Sequence, residues 1–291
     1  MSYQWSRTDG DIGVGFLRIA REQIGKAIAD AEKVEDSPER RVHDTRRRCK
    51  KLRALFRLVR TDFGAYKREN AFVREAAKSL SQARDTRVAR QTFEELMAWA
   101  GRPVAMVPPE AVDPATEEAA LHEFAGQMRE LQARSATWKI DGIDLGTLTK
   151  GLKQTYRRAR WTRRFAECHR SDEAFHEWRK YAKYHWNQLG LLEECAVDVL
   201  PSAHKSAGEL AEALGLHHDL AVLGAILETS PREIGEDVDV DATRAAIVGR
   251  RAELEARIAS LGQQIFAERP KALKSRFDAY LSGWMVREAA E

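Results

Sequence analysis

The chain reads as all-α. Ala, Leu, Arg, Glu and Lys dominate, apolar residues recur at spacings of three and four, and strand-like alternation is absent. The first helix is expected over residues 14–32, where the apolar spacing begins and ends. Ser37-Pro38-Glu39 then supplies an N-cap with Pro at the first helical position, opening a second helix. Helices follow at 66–80 and 84–100. Pro103, Pro108, Pro109 and Pro114 make 101–116 the clearest loop, ahead of a helix at 117–138. Asp141-Gly142 and Asp144 mark a break and a cap, and a long basic helix runs from there to His169. Ser171-Asp172-Glu173 starts the next helix, ending near Cys195. Pro201 opens another, interrupted at Gly215 and resumed over 219–227. An acidic loop at 229–241 precedes two closing helices at 242–266 and 270–287.

With 291 residues, 43% of them hydrophobic and 32% charged, the chain is long enough to bury a sizeable core and is not disordered. Cys49, Cys168 and Cys195 are widely spaced, without a C-x-x-C, so neither a disulfide framework nor a zinc site is expected. No signal segment is legible and no run reads as a membrane span, so a cytoplasmic protein is expected. The net charge of +3 conceals segregation. Residues 41–60 hold nine Lys/Arg against the single acid Asp44, and 150–164 hold seven against none.

The basic residues are ordered. His43 leads Arg46, Arg47 and Lys50, and His176 leads Arg179, Lys180 and Lys183, at offsets of three, four and seven in both cases. Such offsets place each set on one helical face. Arg53 and Arg57 extend the first stripe, and Lys153, Arg157, Arg160 and Arg164 form a third on the preceding helix. Arg48, Lys51, Arg158 and Arg163 lie off the stripes and read as ordinary surface. Solvated faces gain from mixed-sign pairs one turn apart, whereas like charges stacked on successive turns repel. The pattern therefore points to a bound polyanion with evenly spaced charges, met by arginine forks and lysine point charges.

The two histidine-led stretches lie 133 residues apart (176 − 43), and a second landmark accompanies each. Arg84-Asp85 follows His43 by 41 residues (84 − 43), and His218-Asp219 follows His176 by 42 (218 − 176). Two related bundles, 1–140 and 141–291, packed about a pseudo-twofold axis with one shared cleft, account for both repeats. Neighbouring cations should depress the histidine pKa values, and a bound anion should raise them again.

No Gly-rich phosphate loop is present, neither G-x-G-x-x-G nor G-x-x-x-x-G-K-[ST]. His43-Asp44 and His217-His218-Asp219 echo the His-Asp pair of metal-dependent phosphohydrolases. Arg46, Arg47 and Lys50 would repel a divalent cation, and no carboxylate cluster offsets them. No catalytic residue, metal or cofactor is therefore expected. Nor is there a helix-turn-helix signature or an aromatic base-stacking platform, so nucleic acid is not the expected partner.

With both histidine-led helices and both landmarks in place, the chain resembles the CHAD domain, the conserved histidine α-helical domain, over essentially its whole length. Tyr156-Arg157-Arg158-Ala159-Arg160 and the closing Leu261-Gly262…Phe266…Pro270…Phe277…Tyr280…Trp284 carry further parts of the resemblance. It implies two four-helix bundles related by pseudo-twofold symmetry in one compact domain, with a basic central cavity or groove. It also implies binding of inorganic polyphosphate, often with residence at polyphosphate granules. His43, Arg46, Arg47, Lys50 and Arg53 would line one side, and His176, Arg179, Lys180 and Lys183 the other. Lys153, Arg157, Arg160 and Arg164 would extend the site, with Arg84 and His218 near its rims. Trp186 and Gly190 stand where the first stripe has Arg53 and Arg57, which shortens the second stripe. A histidine- or metal-dependent phosphohydrolase or phosphotransferase, and a generic polyanion or nucleic-acid binder, are the alternatives.

Overall fold

A computed structural model describes residues 3–80, 85–104 and 114–286. Among these residues there are ten α-helices and no strand: α1 (Ile12–Glu32), α2 (Pro38–Leu58), α3 (Tyr66–Ser79), α4 (Asp85–Trp99), α5 (Pro114–Arg134), α6 (Leu145–His169), α7 (Asp172–Leu191), α8 (Leu200–Thr229), α9 (Val240–Ile265) and α10 (Pro270–Val286). The starts follow from side chains that satisfy otherwise unpaired N–H groups. Asp11 accepts from Gly13 and Val14, Ser37 from Arg40, and Ser171 from Ala174. Asp144 and Thr147 form a reciprocal capping box at α6.

Helices α1, α2, α3 and α5 pack on one another, while α4 crosses to lie on α8 and α9. Phe16, Phe56, Phe63 and Trp138 form an aromatic cluster at the centre of the first group. Below it the fully buried Glu69 carboxylate is held by Arg68, Arg134 and the Trp138 indole. In the second half α7 lies between α6 and α8, α9 covers α8, and α10 covers α6. Tyr156, Trp178, His185, Phe266 and Phe277 are buried there.

Besides α4 on α8 and α9, the halves meet where α2 packs on α6 and α7. Gly151 makes this possible, because a Cβ there would stand 1.8 Å from the Leu58 carbonyl oxygen. Gln188 donates to the Ala54 carbonyl at 3.2 Å, and Thr147 donates to Asp62 at 2.6 Å. Arg60 reaches Gln154 on α6 at 2.6 Å.

Three sequence expectations change. Helix α8 runs unbroken through Gly215, so Asp219 lies mid-helix and caps nothing. Leu210 and Leu214 before the glycine and Leu220, Leu223 and Leu227 after it are all buried, which outweighs its penalty of about 1 kcal/mol. The same helix is long and apolar enough by length and composition to cross a membrane, contrary to the sequence reading. Half of its apolar window is buried in the bundle, and a core helix meets that criterion as readily as a membrane span. Finally, α5 begins at Pro114 rather than at 117, with the proline in its first turn. Arg84 and residues 105–113 of the expected loop lie outside the described residues.

Gly151→Ala is expected to destabilise the fold by about 3 kcal/mol or more, since backbone rather than a movable side chain must give way. Gly25→Ala, with nothing within 4 Å of the added methyl, should instead stabilise by about 0.5–1 kcal/mol. Urea denaturation of the two variants beside the parent checks both signs.

Candidate functional site

Because α2 lies on α7, the basic stripes of the two helices run along either side of their contact. Arg57 of α2 sits over the Tyr184 ring of α7 at 4.3 Å and beside Tyr181 at 5.9 Å. Arg53 approaches Tyr184 at 5.7 Å and donates to Asn70 of α3 at 3.4 Å. Arg46 donates to the Ala77 carbonyl at 2.8 Å, so α3 flanks the stripe on its outer side. On the α7 side, His176 stands 4.8 Å from His218 of α8, ring centre to ring centre. Arg179 passes Gly215, where an added Cβ would lie 3.9 Å from its Nε. The sequence in space is α3, α2, α7, α8, with the cations of α2 and α7 in the middle.

The local pattern at each histidine repeats. Asp44 pairs with Arg47 at 3.2 Å, and Glu177 pairs with Lys180. His43 is exposed and shares a cavity of about 410 Å³ with Arg40, Asp44 and Arg47, closed by Arg87 and Gln91 of α4. His43 therefore faces α4, whereas His176 faces α8.

Burial and charge leave this region electrostatically unsatisfied. Burial, then Arg57 and Arg74, hold the Arg53 guanidinium below its ordinary pKa, although Tyr184 opposes the shift. The Nε–H groups of Arg57 and Arg160 are buried with no acceptor among the described residues. Burial, then Lys180 and Arg179, lower the His176 pKa. Burial, then Arg179, His176 and Lys183, take His218 down to about 4, against a smaller opposing effect of Asp219. Both imidazoles are therefore neutral near pH 7.

The α6 residues divide. Lys153, Arg157 and Arg164 occupy the arc opposite Leu148, Leu152, Thr155 and Ala159, the buried side of that helix, at about 100° per residue. Arg160 lies close enough to Tyr156 to influence its hydroxyl. The α6 side chain that meets the α2–α7 contact is Arg158, 5.6 Å from Tyr181, which sequence reading assigned to ordinary surface. Of the other off-stripe cations, Arg48 pairs with Asp30 at 2.8 Å, Lys51 covers the Tyr3 ring at 4.7 Å, and Arg163 pairs with Glu167 at 3.5 Å. The first ties α2 to α1, the second packs α2 against the N-terminal segment, and the third lies within α6.

Sequence reading also missed an aromatic platform. Trp161, Phe165 and His169 stack along α6, with ring centres 5.3 Å and 3.8 Å apart, and Trp161 is 50% exposed. Their spacing of four was visible in the sequence, but not their exposure. The neighbouring histidines of α8 diverge: His217 turns to Glu255 and Arg251 of α9, and His218 to His176. The His-Asp echo thus converges on no common point.

An all-α chain with two histidine-led basic helices packed side by side is the class this geometry defines. A family model for the CHAD domain matches residues 18–228, and the chain belongs to that family, one associated with polyphosphate binding. The match includes both histidine-led helices and ends in the last turn of α8, leaving α9 and α10 beyond it. No curated protein matches the chain.

The His218 ring is expected to titrate near pH 4 by NMR, and Arg179→Gln should raise that midpoint. An unfolded histidine titrates near 6.5, so the unfolded chain takes up this proton first. Stability should therefore fall as pH drops from about 6.5 toward 4, and less so in His218→Gln, as urea midpoints across that range would show.

Proposed function

We propose that the chain binds inorganic polyphosphate, without turning it over, in a basic trough floored by α2 and α7 and walled by α3 and α8. One observation carries the reading: Arg53 and Arg57 of α2 converge on Tyr184 of α7, which joins the two stripes into one cationic surface. A chain of phosphates offers closely spaced acceptors to cations set on successive helical turns. It also offsets the burial and the mutual repulsion that hold Arg53, His176 and His218 below their ordinary pKa values. His43, Arg46, Arg47, Lys50, Arg53 and Arg57 contribute from one side in this reading. Arg179, Lys180, Lys183 and the His176–His218 pair contribute from the other.

Calorimetric titration with long-chain polyphosphate, set beside charge-matched heparin, tests the proposal. Affinity should fall linearly on a log–log plot against salt, as each neutralised phosphate releases a counterion. Lys50→Glu and Arg179→Glu should each weaken binding by about tenfold or more, from the loss of a charged hydrogen bond. Each should also flatten the salt slope, whereas Lys205→Glu on α8 should change little. Equal affinity for heparin would reduce the trough to a generic polyanion surface, and equal effects of all three substitutions would dispose of the trough.

Binding should also draw in protons. A phosphate chain beside His176 and His218 raises their depressed pKa values, so the bound state holds more protons than the free one. Affinity should accordingly strengthen as pH falls from about 7.5 toward 6. The His176→Gln/His218→Gln variant should bind with less pH dependence, which the same titration in buffers of different ionisation enthalpy would reveal.

A further inference from the structure

The trough does not account for the exposed face of α6. Trp161 and Phe165 are 50% and 39% exposed, and their rings are nearly parallel, with 19° between planes. His169 continues the stack with 21° between planes, and its Nδ1–H donates to the Phe165 carbonyl at 2.9 Å, which fixes the ring. Arg158 closes the other end, 4.3 Å over the Trp161 ring. Arg157 and Arg164 lie about 40–60° around the helix from Trp161 on one side, and Arg158 about 60° away on the other. The segment 150–164 carries seven cations and no acid.

Three occupants compete for such a face. Polyphosphate would use the arginines but has no planar group for the rings. A second copy presenting the same face would set like charges against one another. A single-stranded nucleic acid supplies both features, since its bases stack on aromatic rings and its phosphates pair with flanking cations. The alternation continues beyond the helix, because Arg158 also lies 5.6 Å from Tyr181, itself 5.9 Å from Arg57.

We infer that the Trp161–Phe165–His169 stack of α6, with Arg157, Arg158 and Arg164 beside it, is a binding strip for single-stranded nucleic acid. One base takes the outer face of Trp161 that Arg158 now covers, another takes the outer face of His169, and Arg158 turns with Arg157 and Arg164 to the phosphates. The inference stands independently of polyphosphate binding in the trough, because different side chains carry it.

Fluorescence anisotropy with a labelled 12-nucleotide oligothymidylate, run beside polyphosphate calorimetry on the same full-length proteins, tests it. The parent should bind the oligonucleotide and bind a duplex of equal length less well. Trp161→Ala/Phe165→Ala should weaken oligonucleotide binding at least tenfold, given about 1–3 kcal/mol per stacked base. Polyphosphate affinity should stay within about twofold, which also reports an intact fold. Trp161→Phe/Phe165→Tyr keeps the rings and should retain most of the oligonucleotide affinity. The inference fails if the parent does not bind, if the alanine variant binds the oligonucleotide unchanged, or if both ligands weaken together. A change of oligomeric state in the alanine variant on size exclusion would overturn it in favour of an interface between copies.

Discussion

The seating of α2 on α6 and α7 is the constraint from which the rest of the arrangement follows. The backbones at Gly151 and Leu58 approach so closely that no side chain fits between them, and Gln188 and Thr147 fix the register on either side. That contact buries Ala54 and Leu58, which lie within or just beside the arc of α2 that carries the cations. The cations are thereby held along the contact with α7. The packing force is apolar burial and backbone proximity; the charges are carried with it and oppose it.

The opposition is moderated by aromatic side chains. Like charges one turn apart each destabilise by about 0.2–0.5 kcal/mol, while a guanidinium over a ring face returns about 0.5–1 kcal/mol. Tyr181 and Tyr184 sit where Arg53, Arg57 and Arg158 come nearest, so the rings partly offset the crowding at the contact. Asp44 and Glu177 serve the same end at the stripe entrances, each next to its histidine and paired with the cation three residues on. Nothing comparable pairs with the Arg57 Nε–H among the described residues, and His176 and His218 remain neutral beside Arg179. Part of the uncompensated charge thus lies along the stripes of α2 and α7.

Much of this was legible beforehand because caps and stripes are local. Ser37-Pro38, Asp144 and Ser171 each begin a helix where short-range hydrogen bonding requires it. The offsets of three, four and seven from His43 and His176 fixed the helical faces. What local pattern cannot supply is the neighbour that fills a given arc. The third stripe on α6 was coherent in phase, yet Lys153, Arg157 and Arg164 turned out opposite its buried side while Arg158 met Tyr181. Arg48 and Lys51 read as surface, but Asp30 and Tyr3 arrive from other parts of the chain to cover them. At Gly215 a residue preference was outweighed by burial on both sides of it.

The aromatic stack shows the same limit from the other direction. A Trp and a Phe four residues apart on a helix usually belong to a core, and spacing alone assigns them there. On α6 the core side is already filled by small residues, Thr155, Ala159, Thr162 and Ala166, which let α7 and α10 lie close. Trp161 and Phe165 are too large for that side and stand about a quarter-turn or more away from it, among arginines. The bulk that would fill an interior has been placed in solvent, where it loses about 25 cal/mol of burial for each exposed apolar Å². Stacking within the helix and the Arg158 cover recover a part of this. The remainder stays as exposed ring next to unbalanced positive charge, and a ligand that is both planar and anionic removes both penalties at once.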